Sequence, residues 1–240
     1  MPSRDEYDAN AMKDDMVSNA LIWILTKVVN YIAVKDRVGY GEQQSLAKRC
    51  DRLSHELDIW FQGLSERFKP YARYDLTEDL GNDVGESPAI TRPKKIPFAC
   101  ISYSSKMCAS TMQTYHLARI LLLVHSTAAG SIPAYSQLSR TAANEHTSGQ
   151  SSVFAYLENL RSQQAEIQYR SREICGIAMS SPIEACIYLH QTQTLFVAGQ
   201  CLTDPHERRV ILDLLRRVNV ELGWETEYRV EQLLREWSRN

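Results

Sequence analysis

Cys201, Asp204 and His206 bring a thiol, a carboxylate and an imidazole within six positions of GQCLTDPHERRV. A cysteine nucleophile needs a base in hydrogen-bond reach and a third group that orients the base. A structural zinc needs four ligands, and only Cys201 and His206 are local here. The spacing points elsewhere. Asp204 stands immediately before Pro205, with Glu207 three positions on. An acid there accepts from the free amides of a helix start, and proline occupies a position that needs no amide hydrogen. The glutamate closes a capping box. The stretch therefore predicts a helix start, with His206 a first-turn bystander and Cys201 a packed thiol before the cap.

Other chemical patterns break down on spacing in the same way. GYGEQQ has Gly39 and Gly41, but Gln44 stands where a dinucleotide fingerprint needs glycine, and the segment follows a helix. Tyr103 and Lys106 of YSSK have the wrong spacing for a dehydrogenase pair. An all-α enzyme suggests terpene cyclisation, which needs acid clusters to hold magnesium and diphosphate. Asp14 and Asp15 lack a third acid. NDVGESPAI puts Glu86 where a hydroxyl is required and Ile90 where the final acid is required. These acids read as surface groups in flexible segments. His116 lies on an apolar helix and reads as a satisfied core residue, while His125, His146 and His190 have no partner that sequence can name. No catalytic, cofactor-binding, metal-binding or DNA-binding residue is assigned.

The elements that would position such residues are helical. In the 240-residue chain, Val17, Leu21, Ile24, Leu25, Val28 and Ile32 form one stripe over Met16 to Val34. Leu46, Cys50, Leu53, Leu57, Trp60 and Leu64 form another over Glu42 to Phe68, ended by Pro70. The two are joined by the glycine turn VGYGEQ. A mostly apolar helix runs from about Ser104 to Ser126, and another from about Ser151 to Ala178. SPIE, with Ser181, Pro182 and Glu184, repeats the capping pattern of DPHE. Ile211, Leu214, Leu215, Val218 and Leu222 follow Pro205 at helical spacing until Gly223. Val230, Leu233, Leu234 and Trp237 mark a last helix. No segment shows clear period-2 alternation. The expectation is an all-α fold: one domain over 1–240 with seven to nine helices, loops near 74–95 and 127–150, and disorder over 1–15.

Composition narrows the function classes. The net charge is −2, so no basic excess argues for nucleic acid. RPKK at 92–95 is short. Arg208/Arg209 and Arg216/Arg217 fall on the solvent side of a helix with interspersed acids. The acidic N-terminus is unlike a signal peptide, and the apolar run ILLLV at 120–124 is too short for a bilayer, so no membrane segment is expected. Six scattered cysteines without a C-x-x-C pair fit a reducing intracellular compartment.

Several features then converge. They are Ile174-Cys175-Gly176-Ile177-Ala178, Ala198-Gly199-Gln200, Asp204-Pro205 with Glu207-Arg208-Arg209, Gly223-Trp224 and Trp237. With IPFACISYSSKM and TYHLARILLL, this pattern resembles the fungal-specific transcription factor domain, the helical regulatory region of fungal zinc-cluster transcription factors. The resemblance is strongest over 165–240. It implies a nuclear transcription regulator, with a cytoplasmic site as the alternative. It would act through protein partners, a homo- or heterodimer partner, or a small-molecule effector, without direct DNA contact and without enzymatic activity. Full-length relatives carry two zinc ions in a separate N-terminal module; the six cysteines here lack that spacing, so no cofactor is expected in this chain. A missed upstream module, a fragment, or an orphan module acting as partner or dominant-negative of a full-length factor are the competing explanations. An unrecognised all-α enzyme is the remaining alternative.

Overall fold

The computed structural model describes residues 4–37, 43–78, 94–126, 148–180 and 185–239. Among them are seven α-helices: α1 (Arg4–Lys35), α2 (Gln43–Gln62), α3 (Lys106–His125), α4 (Ser148–Ser180), α5 (Ala185–Cys201), α6 (Pro205–Leu222) and α7 (Glu227–Trp237). Two strands, β1 (Ala72–Glu78) and β2 (Lys94–Ser102), complete the set with a short 3-10 turn at Glu66–Phe68. The fold is all-α apart from this ribbon. The chain divides into two compact units, residues 1–63 with 118–170, and residues 64–117 with 171–240.

In the first unit, α1 and α2 pack antiparallel. The Trp60 indole donates to the Val17 carbonyl at 2.9 Å, and Lys27 meets Glu56 at 2.7 Å. Leu21, Ile24, Val28 and Tyr31 of α1 and Leu46, Cys50, Leu53 and Leu57 of α2 are buried. The expected stripes are thus largely the packed ones, with Tyr31 added and Val17, Leu25, Ile32, Trp60 and Leu64 only half-buried. Arg119 ties three helices together. Its guanidinium reaches Asp58 at 2.9 Å and Ser54 at 3.1 Å on α2, and Glu166 at 3.3 Å on α4.

In the second unit, β1 and β2 pair antiparallel from Ala72↔Ser102 to Glu78↔Lys94. The register shifts between Asp75 and Thr77, opposite the region of Pro97, which has no amide to give the ladder. The last turns of α4 lie directly on β2. A Cβ built at Gly176 would fall 2.3 Å from the Ala99 carbonyl oxygen, so only glycine permits this approach. Ser180 Oγ donates to the Ile101 carbonyl, and Gln113 Nε2 of α3 donates to the Ile174 carbonyl at 3.1 Å. Helices α5, α6 and α7 pack on one another through Leu195, Ala198, Ile211, Leu215, Val218, Val230 and Leu233, all buried.

Several expectations need correction. The second helix stops at Gln62, not Phe68. Gly63 closes its last turn by donating to Ile59, and Ser65 is extended before a separate 3-10 turn, so Pro70 terminates nothing. The ends of the expected 74–95 loop are strands. Ile96, Phe98 and Cys100 do alternate, but apolar Ala99 and Ile101 fill the other face and hide the period; Ile101 is as buried as Phe98. Helix α1 begins at Arg4, inside the stretch expected to be disordered. Asp14 is helical and buried, not a surface acid, while Asp15 is exposed. Leu234 is exposed. The VGYGEQ turn with Gly39 and Gly41, NDVGESPAI, Arg92 and Pro93 of RPKK, His146, most of the 127–150 loop and the SPIE cap lie outside the described residues.

Candidate functional site

The C-terminal cluster assembles as a cap. Asp204 is the N-cap of α6, and one carboxylate oxygen accepts from the backbone amides of His206 at 2.8 Å and Glu207 at 3.0 Å. Those bonds hold the Asp204 carboxyl below the usual range, the amide of Glu207 contributing most. Cys201 ends α5. Burial pushes its thiol up, opposed by a hydrogen bond with Ser171, the opposite of what a nucleophilic thiolate needs. Asp204 is thus occupied by the backbone, and Cys201 is kept protonated.

Glu207 departs from the expected capping box. Its carboxylate turns into the protein and takes Arg172 Nε at 2.5 Å and Nη2 at 3.4 Å. The carboxylate is buried, so the arginine supplies the counter-charge that burial demands. Arg73 of β1 does the same for buried Glu173 of α4, reaching both oxygens at 2.5–2.6 Å. These ion pairs join elements distant in sequence, and nothing in residue spacing announces them.

The residues that carry the family resemblance also meet in space. A Cβ at Gly199 would lie 2.9 Å from Leu233 Cδ1, so α7 comes close to α5 there. The Trp237 indole donates to the Gly199 carbonyl at 3.1 Å, and the Arg208 guanidinium sits 5.0 Å from the Trp237 ring centroid. Arg208 Nε donates to the Leu202 carbonyl, Gln200 to Glu236. Gly223 closes α6 at φ 65°, the left-handed conformation that glycine adopts at no steric cost. Together they form a structural joint between three helices.

The remaining candidates have structural surroundings. His116 is buried on α3. The His125 carbonyl accepts from the Tyr31 hydroxyl at 3.0 Å and from Lys35 at 2.6 Å, and burial, with Lys35 second, pushes its imidazole down. Cys50, Cys100, Cys108 and Cys175 are buried free thiols; burial drives the Cys175 thiol well up, with Glu207 adding to it. Arg216 and Arg217 pair with Asp213 and Glu221 on their own helix, as a solvated face should. Among the described residues, no three His, Cys, Asp or Glu side chains converge as a metal set. The segment Lys13–Lys35 of α1 has the length and apolar content to cross a membrane, which the sequence reading did not expect. Here its Leu21–Tyr31 stripe packs inside the first unit.

Exposed apolar groups also appear. Val220, Trp224 and Tyr228 stand out around the α6–α7 turn, and Met16, Trp23 and Val29 along α1. On the second unit, Arg229 stacks over Phe196 at 4.3 Å and Tyr228 at 5.0 Å.

A helical scaffold is the class these features define. The chain is similar to transcription activator AMTR1 of Alternaria alternata, with 31% identity over 244 residues and 98% of this chain. It spans about 29% of the length of that relative. No family model matches the chain, so the fungal-domain resemblance draws no support from that comparison. No solved structure matches.

Proposed function

We propose that this chain is a transcription-regulatory region that works as a helical scaffold, through protein partners or a small effector, and not as an enzyme. One observation carries the reading: the 31% identity with a transcription activator extends over 98% of the chain. The site chemistry is consistent with it. Asp204, Glu173 and Glu207 are spent on a cap and two ion pairs, and the described thiols whose titration is perturbed are shifted away from reactivity. Protein contact would use exposed groups such as Trp224 and Tyr228, since aromatic side chains give most contact area for least lost freedom. The reading carries a nuclear location and no base contact by this chain.

The test is a reporter assay. The chain is fused to an unrelated DNA-binding domain, with fluorescence microscopy to confirm entry into the nucleus. Reporter output should change several-fold relative to the DNA-binding domain alone. A stably expressed, nuclear fusion with no effect in any direction overturns the reading.

A further inference from the structure

The YSSK segment, dismissed above as a dehydrogenase pair, lies at an open pocket of about 570 Å³ within the second unit. Its wall comprises Tyr71, Ser102, Tyr103, Ser104, Ser105, Lys106, Met107, Ala109 and Ser180. The volume falls in the range of small-molecule sites, about 300–1,000 Å³. Six lining side chains carry hydroxyls, one carries an ammonium, and none is a carboxylate, imidazole or thiol. That set has nothing to coordinate a cation and no base to activate a nucleophile. Ser104 and Ser180 already give their single hydroxyl hydrogens to backbone carbonyls, so an oxyanion would be met by the Ser105 and Tyr71 hydroxyls beside the Lys106 positive charge.

The pocket is held in shape from several sides. Ser180 Oγ at the end of α4 is anchored to the Ile101 carbonyl, Ser104 Oγ to the Arg67 carbonyl at 3.1 Å, and Ser105 Oγ accepts from the Cys108 amide at 3.2 Å. The hydroxyls on this wall come from α4, the end of β2, the connection to α3 and Tyr71 just before β1, and three of them are fixed before any ligand arrives. An inorganic ion would fill a small part of the space. Met107, Ala109 and the tyrosine rings leave an apolar wall for the rest of a larger molecule.

We propose that this pocket binds a small organic anion, a carboxylate or phosphomonoester with an apolar body, its anionic group at Lys106, Ser105 and Tyr71. The proposal deepens the effector half of the function proposed above and rests on that reading for its purpose. Binding is measured without transcription, so its failure and the failure of that reading are told apart.

The full chain, labelled with 15N, is titrated with phenyl phosphate, benzoate and neutral phenol. The anions should shift the amide resonances of Ser105, Lys106 and Met107, and phenol at equal concentration should not. The tighter anion tells phosphomonoester from carboxylate. Lys106→Met should weaken binding about tenfold, Lys106→Arg should retain it, and Lys48→Ala, which removes an exposed charge in the first unit, should leave it unchanged. The proposal fails if neither anion moves those resonances, if phenol binds as tightly, or if folded Lys106→Met binds like the parent chain. Should Lys106→Met not fold, the resonance map and Lys106→Arg decide.

Discussion

The α1–α2 pair of the first unit and the α5–α7 layer of the second are both packed helices, but they are held differently. Between α1 and α2 the contacts include apolar ridges, the Trp60–Val17 hydrogen bond and the Lys27–Glu56 ion pair, whose side chains are 38% and 30% exposed. Trp23, on the outer side of α1, is 65% exposed. Both units bury charge, Asp14 in the first among them, but the second closes its buried carboxylates with arginines from distant elements and brings backbones close. Glu173 and Glu207 are 8% and 6% exposed in their side chains, each with an arginine, and Gly176 and Gly199 sit where a methyl group would collide. A ridge of leucines tolerates exchange of one apolar residue for another. A buried carboxylate or a sub-van-der-Waals glycine contact tolerates almost nothing. The second unit should therefore be the brittle one.

The largest effect is expected at Gly176. A Cβ there meets backbone at 2.3 Å, so Gly176→Ala should cost about 3 kcal/mol or more in urea denaturation. Gly63→Ala, at the end of α2, meets nothing nearer than 3.5 Å and should move stability by less than about 1 kcal/mol. Equal losses at the two glycines would erase the contrast.

Charge comes next. Arg172→Met strands the buried Glu207 carboxylate and should cost about 2 kcal/mol, less than a fully buried pair because Arg172 is half-exposed. Lys27→Met should cost under about 1 kcal/mol. Denaturant melts of the two variants make the comparison, and a Lys27 loss as large as that of Arg172 would contradict it.

Gln191 sharpens the same point from the other side. It is fully buried on α5, and neither amide atom has a hydrogen-bond partner among the described residues. An unpaired buried amide costs about 1–3 kcal/mol, so Gln191→Leu should stabilise the protein by roughly 1 kcal/mol. A marked loss in the melting curve would overturn that expectation.

The smallest effects are in pH dependence. The His125 imidazole is pushed down in the fold, so the unfolded chain takes up a proton first as pH falls below about 6.5. Its contribution is present above that pH and is lost below it, and His125→Gln should flatten that part of the curve. The Asp204 carboxyl is also lowered, from 3.8. The stability from its cap is present above that value and lost as pH falls through the lower folded one. The first unit should thus lose a contribution just below neutrality, the second only in acid. Melting temperature against pH for Asp204→Asn and His125→Gln separates the two windows.

Elements whose period survives in the side chains were legible. Leu21–Ile24–Val28, Leu53–Leu57 and Ile211–Leu215–Val218 repeat every three or four residues and are buried. The Asp204-Pro205 cap and the Gly223 stop were legible too, because their partners lie within three or four residues. The ribbon was not, since Phe98 and Ile101 face opposite sides and are both covered. Glu207 misled because its partner is not the cap residue three positions before it but Arg172, 35 residues away. The pocket was hidden for a similar reason. Tyr103 to Met107 are contiguous, but Tyr71 and Ser180 arrive from other elements.

The sequence by itself determined most of the helices and the start and stop of α6. These depend on local spacing, and an N-cap bond spans two or three residues wherever the helix sits. The tertiary structure alone decided that Glu207 turns to Arg172, that Gly176 rides on β2, and that six hydroxyls and Lys106 share one pocket. Each of these joins residues tens of positions apart, and only chain packing sets which distant groups meet.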